Sequence, residues 1–172
     1  MPAPIAQIAL AAIVMMAAFV VSAEDYMERE EFLALVFPEA EPELRSMWLT
    51  KETRGAAQKA VGMAPVGLRL RYWEDGERTA WILDEIGKER PITIGVSIAG
   101  QRIERVQVLA FRESRGYEIR YPFFTDQFNG LSLGEDGYLS NHIDGITGAT
   151  LSVRAVDRVA RLALWLDAQV KG

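Results

Sequence analysis

Apolar and polar residues recur with two different periods along this chain, and the change of period divides it. Residues 1–23 carry no charged side chain and are dominated by Ala, Ile, Val, Met, Leu and Phe. Over residues 24–37, Tyr26, Phe32, Leu33, Leu35 and Val36 recur at helical spacing, and Pro38 halts the run. Residues 42–63 read as one or two further helices around Leu44, Met47, Trp48 and Leu49, punctuated by Gly55 and by Gly62-Met63-Ala64-Pro65. The period then falls to two. Residues 67–73 alternate apolar and basic side chains, as a half-buried strand does, and residues 74–77 form a hairpin-type turn into a second strand over 79–86. Residues 92–98 and 103–109 predict another strand pair across the tight turn Ala99-Gly100-Gln101. A polar loop over 112–116 leads to a short predicted strand at 117–121, and 123–128 reads as one or two helical turns. Val153, Val156, Val159, Ala160, Ala163, Leu164 and Val170 return to helical spacing, so 151–170 predicts a helix that packs across the sheet. The predicted fold class is α+β: an antiparallel sheet flanked by N-terminal helices over 24–66 and by a C-terminal helix.

Composition removes much of the available chemistry. The chain has 172 residues, no cysteine and a single histidine, His142. Disulfides, thiol catalysis, iron–sulfur ligation, Cys/His zinc sites and a bis-histidine haem are therefore excluded. The net charge is −5, with acids and bases interspersed and no basic stripe, so nucleic acid is not the expected partner. A redox role would need an organic cofactor or a metal held by oxygen ligands.

The uncharged N-terminal stretch ends in Val21-Ser22-Ala23, with small residues at −3 and −1, and acidic Glu24-Asp25 follow. This reads as an export signal cut after Ala23. No Lys or Arg precedes the apolar run, and its length suffices to span a bilayer if left uncut, so retention as an anchor is the alternative. Either way the remainder is expected outside the cytoplasm, in a periplasmic or equivalent space.

The informative segment is Asp144-Gly145-Ile146-Thr147-Gly148-Ala149-Thr150-Leu151-Ser152, a turn that feeds the last helix. Gly148 and Ala149 let backbone and ligand approach closely, and Thr147, Thr150 and Ser152 place hydroxyls where a helix exposes unpaired N–H groups. A phosphate there gains hydrogen bonds and the positive end of the helix dipole. The bland alternative is a set of ordinary helix caps that bind nothing.

This segment resembles the Asp-x-x-(Ser/Thr)-Gly-Ala-Thr signature of the FMN-binding domain family. That family includes flavoprotein subunits of the Rnf and sodium-pumping NADH:quinone complexes and the periplasmic domain of nitrous-oxide reductase regulators. The resemblance extends to Glu113-Ser114-Arg115-Gly116, similar to a Glu-Thr-Pro-Gly loop, and to Phe124-Thr125-Asp126-Gln127-Phe128-Asn129-Gly130, similar to an aromatic-x-x-Gln-Phe-x-Gly segment. It covers about residues 90–165, with Ser-Arg standing in place of Thr-Pro in the loop. It implies FMN bound covalently, through a phosphoester to Thr150, by a flavin transferase that uses FAD and a divalent metal. The implied cofactor-binding residues are Asp144, Thr147, Gly148, Ala149, Thr150 and Ser152, with Glu113, Arg115 and Gly116 from the loop. Reduced flavin tends toward an anion, so Arg115 near the ring would favour reduction and Glu113 would oppose it. The implied function is electron carriage to or from a membrane-bound redox partner. A regulatory or accessory flavin module of a membrane complex is the rival from another class.

Other residues invite blander readings. His142 reads as a partly exposed loop histidine, with a phosphate contact or a proton relay as the alternatives. Trp48, Trp73, Trp81 and Trp165 sit in periodic segments, which favours packing over flavin stacking. The acidic residues show no calcium-loop spacing.

Overall fold

The computed structural model describes residues 24–172; the export or anchor reading falls on residues 1–23, outside the described residues. Six strands form one antiparallel sheet: β1 (Glu24–Asp25), β2 (Glu43–Trp48), β3 (Arg69–Glu74), β4 (Arg78–Ile86), β5 (Pro91–Ala99) and β6 (Arg102–Phe111). Their order is β1-β6-β5-β4-β3-β2, so β1 and β2 are the two edges. Helices α1 (Arg29–Val36), α2 (Lys51–Val61), α3 (Pro122–Thr125) and α4 (Thr150–Lys171) complete the fold, which is α+β as the two periods predict.

The long hairpin β5–β6 closes through Gly100 and Gln101, whose φ values of 57° and 60° make the primed turn that matches strand twist. On one face of the sheet, Trp81, Ile92, Ile94, Val96 and Ile98 meet Val156, Val159, Ala160, Ala163 and Leu166 of α4, all fully buried. Tyr72 stacks on Trp81 with ring centroids 4.6 Å apart. Beneath them Trp81 Nε1 donates to Thr79 Oγ1 (3.0 Å), and that hydroxyl donates to the buried Asp167 Oδ1 (2.6 Å), so the polar groups of this core are partnered. The other face is covered only in part. Phe32 and Val36 of α1 pack on Ala80 and Leu109, while Leu44 and Trp48 of β2 remain exposed.

Three expectations fail. The helix expected from residue 24 spans only Arg29–Val36, because Glu24 and Asp25 pair as a strand with Phe111 and Ala110. Residues 43–48 form a strand, not a helix, paired with β3 from Glu43↔Glu74 to Trp48↔Arg69. Pairing with a neighbouring strand outweighs the helix-like spacing of a short segment. The helix begins only at Lys51, where Thr50 Oγ1 accepts the Thr53 N–H at 3.1 Å, and it ends at a left-handed Gly62. The predicted strand at 117–121 is a 3-10 turn, Tyr117–Arg120. Its apparent alternation arises because Ile119 is buried while Tyr117 and Tyr121 face out. Pro122 then starts α3 at once.

Candidate functional site

Helix α4 starts without a side-chain cap: its N-cap is Ala149, and neither Asp144 nor Thr147 closes the first turn. The first-turn N–H groups of such a helix have no intrahelical acceptor and carry the positive end of its dipole. The helix-cap reading of these hydroxyls is therefore not what the chain does. Ala149 is held in place instead by its own N–H, which donates to Ile146 O at 3.0 Å.

Thr150, the first residue of α4, is exposed. It lines a cavity of about 670 Å³ walled by residues 138–143, by Gly145 and by Val153, Arg154 and Asp157 of α4. Such a volume falls within the range of small-molecule sites, about 300–1,000 Å³. Thr147 and Gly148 are exposed beside it. Gly148 has φ +83°, and a Cβ placed there would meet nothing within 4 Å, so the approach to Thr150 over this turn is open. His142 also lines the cavity and is exposed.

The two further matches converge on this turn as supports. Asp144 is exposed, and its N–H donates to Gln127 Oε1 at 2.7 Å, which ties the signature to the segment after α3. Phe124 and Phe128, on either side of Gln127, are fully buried with rings 5.5 Å apart, so Gln127 is a fixed post. From the loop, Gly116 sits at φ +92° directly against the start of α4: a Cβ there would lie 2.5 Å from Ser152 Oγ and 3.3 Å from Ala149 Cβ. Ser152 and Ala149 are buried in that contact, 5 % and 3 % exposed, and so face the loop rather than the cavity. Glu113 turns elsewhere. Its Oε1 accepts the backbone N–H groups of Lys88 (2.5 Å), Glu89 (2.6 Å) and Arg90 (2.9 Å), closing the β4–β5 turn. Burial alone would raise the Glu113 pKa, but the three N–H donors outweigh it and hold the carboxyl below its ordinary value. Arg115 stands exposed on the loop between these two anchors.

Sequence reasoning passed over Arg154. It is exposed, lines the cavity one helical turn from Thr150, and makes no ion pair among the described residues. The signal was available, since residues i and i+4 of a helix share a face. The facing wall is fixed by Arg161, which bonds Asp157 (3.0 Å), Val61 O (3.0 Å) and Gly137 O (3.3 Å) and lies over the Tyr138 ring. Among the described residues no group of three or more His, Asp or Glu side chains is placed to hold a metal ion.

An uncapped helix start, a free guanidinium one turn inside, an exposed hydroxyl and an open cavity suit a phosphorylated ligand with a bulky body. Comparison with known proteins agrees. Residues 87–164 match the sequence model of the FMN-binding domain family, a span that runs from the β4–β5 turn into α4 and takes in every residue of this site. No curated protein matches the chain.

Proposed function

We propose, for a chain that carries a domain of the FMN-binding family at residues 87–164, that FMN is held covalently through a phosphoester to Thr150 Oγ1. The proposal extends to an exported electron carrier that works with a membrane-bound redox partner. FMN as ligand follows from the family; the covalent bond, the export and the partner are our inference. The observation that carries the covalent reading is Thr150 itself. It is an exposed hydroxyl on the first residue of an uncapped helix of 22 residues, at the mouth of a cavity.

Bound flavin supplies one- and two-electron chemistry that no side chain here offers. The protein's part is to hold and place it. In the transfer from FAD, Thr150 Oγ1 would form the new bond to the FMN-side phosphorus and lose its proton, as the pyrophosphate P–O bond breaks and AMP leaves. The first-turn N–H groups and Arg154 meet the phosphate charge, and the open space above Gly148 leaves room for a transferase to reach the hydroxyl. The cavity wall at 138–143 and Gly145, fixed by Arg161, offers the flavin body a surface. Outside the cytoplasm, lost FMN has no pool to replace it, so a tether keeps the carrier loaded through repeated cycles.

The decisive test produces the full chain with a flavin transferase and FAD. The expected product fluoresces as a band on a denaturing gel, its mass raised by one FMN less one water, with the flavin on the Thr150 peptide. Thr150→Ala should abolish the adduct, while Thr147→Ala and Thr150→Ser should retain it in whole or part. No covalent flavin with an active, matched transferase would end the covalent reading. A reporter active only outside the cytoplasm, fused after residues 1–23, tests export separately.

A further inference from the structure

The strongest feature that the flavin site leaves unexplained lies at one end of the sheet. Among the described residues the most exposed large apolar side chains are Val66 (83 %), Leu68 (75 %) and Trp48 (68 %). They are neighbours: Leu49 N–H donates to Leu68 O at 2.9 Å, and Trp48 pairs with Arg69. Ile86, half exposed, ends β4. β3 runs antiparallel to β4, with Tyr72 opposite Trp81, so Arg69 at the start of β3 lies toward the Ile86 end of β4. An apolar groove of about 410 Å³ opens there between Val66 and Ile86, floored by Leu70 and Leu83. Single exposed apolar residues need no explanation, but a contiguous set beside a groove does.

Cations flank the set. Arg69 lies over the Trp48 ring, 5.8 Å from its centroid, and Arg54 donates to Gly67 O within the exposed tip. Lys51, Arg71 and Arg90 are exposed nearby in sequence or register. An amphipathic Trp with Leu, Val and Ile, flanked by Arg and Lys, is the composition of a segment that sits at the interface of a bilayer; the two acids that line the groove are engaged within the fold, Asp84 accepting from Thr93 and Glu85 paired with Arg158. Two registers join this end to the rest of the molecule. Glu24 pairs with Phe111, Phe111 with Ile92, and Ile92 with Glu85, so the 23 uncharged residues before Glu24 join the fold at the same sheet end. Helix α4 is antiparallel to β4, with Arg158 on Glu85 (2.6 Å) and Asp167 on Thr79 (2.6 Å). Thr150 therefore lies beyond that same end, eight residues or about 12 Å along the helix from Arg158.

We infer that this end of the sheet is a bilayer-docking surface: Trp48, Val66, Leu68 and Ile86 enter the interfacial layer, and the surrounding Arg and Lys meet lipid phosphates. Docking in this orientation turns the Thr150 end of the molecule toward the membrane, where a membrane-bound redox partner would meet it. The docking surface stands without flavin, so it can hold even where the covalent reading fails.

The absence of cysteine makes the test direct. Val66→Cys, Leu68→Cys and, at the opposite sheet end, Glu77→Cys in the full chain each take one environment-sensitive fluorophore. With vesicles of mixed zwitterionic and anionic phospholipid, the labels at 66 and 68 should brighten several-fold, shift to the blue and be quenched by lipid-borne quenchers. The label at 77 should not respond. Substituting Trp48→Glu in the Leu68→Cys chain should reverse the response, with folding checked by circular dichroism. Labels at 66 and 68 that stay in water while the chain is vesicle-bound would overturn the proposal. So would a blue shift that appears without lipid as protein concentration rises, which would assign the surface to a second copy.

Discussion

Gly116→Ala is the substitution through which the two halves of the site can be tested against each other. The residue sits at φ +92°, where an L side chain costs about 1–2 kcal/mol of backbone energy. Its new Cβ would lie 2.5 Å from Ser152 Oγ and 3.3 Å from both Ser152 Cβ and Ala149 Cβ. The Ser152 hydroxyl can swing away about χ1, but the two carbons remain, and both belong to the buried start of α4. The helix start must then shift by a few tenths of an ångström, an overpacking cost of about 1–2 kcal/mol. The sum is about 3 kcal/mol, or a fall of about 6–12 °C in melting temperature for a chain of this size. Chemical and thermal unfolding of the apoprotein would measure it. Since the displaced turn carries Thr150, covalent flavin loading should fall in the same variant. Ser152→Ala in that background removes the 2.5 Å contact and should recover part of the loss, leaving the backbone cost. A Gly116→Ala protein within about 0.5 kcal/mol of the parent would refute the close contact. So would a Ser152→Ala change that adds to the loss.

Glu113→Gln should cost about 1–3 kcal/mol, because a neutral amide oxygen replaces a carboxylate that accepts three N–H bonds. The folded pKa is depressed, so the stabilisation is present above the unfolded value of about 4.3 and lost as pH falls through the folded one. Unfolding midpoints measured from pH 3 to 7 should lose that acid limb in the variant. Asp167 runs the opposite way. Burial raises its pKa, against the lowering hydrogen bond from Thr79 and the nearby Lys171. Its contribution is therefore complete below the unfolded value and declines as pH rises through the folded one, a slope that Asp167→Asn should remove in the same titration. Arg154→Gln should leave stability unchanged and slow covalent loading roughly tenfold, equivalent to about 1.4 kcal/mol. Arg154→Lys should recover most of the rate, and equal rates for all three would place Arg154 outside the phosphate's reach.

The period-two segments needed nothing beyond themselves to declare the central strands. In β5, Ile92, Ile94, Val96 and Ile98 point one way because strand geometry alternates, and any sheet that buries them must present that face to α4. The signature Asp144–Ser152 was equally legible, because a turn, small residues and the start of an apolar helix are local facts. Residues 43–48 were not, since a six-residue segment with Leu44, Met47 and Trp48 fits either period until a neighbour such as β3 supplies its hydrogen bonds. The same limit hid the roles of Glu113 and Ser152. Their types suit a cofactor site, yet where a carboxylate or hydroxyl points depends on which backbone lies beside it. Only the folded chain brings the 88–90 turn to Glu113 and Gly116 to Ser152. The gathering of Trp48, Leu68, Ile86 and the junction at Glu24 at one sheet end is likewise a property of strand order and register. Local sequence sets what each segment can be; contacts between distant segments, which cost chain entropy to form, decide where its chemistry is aimed.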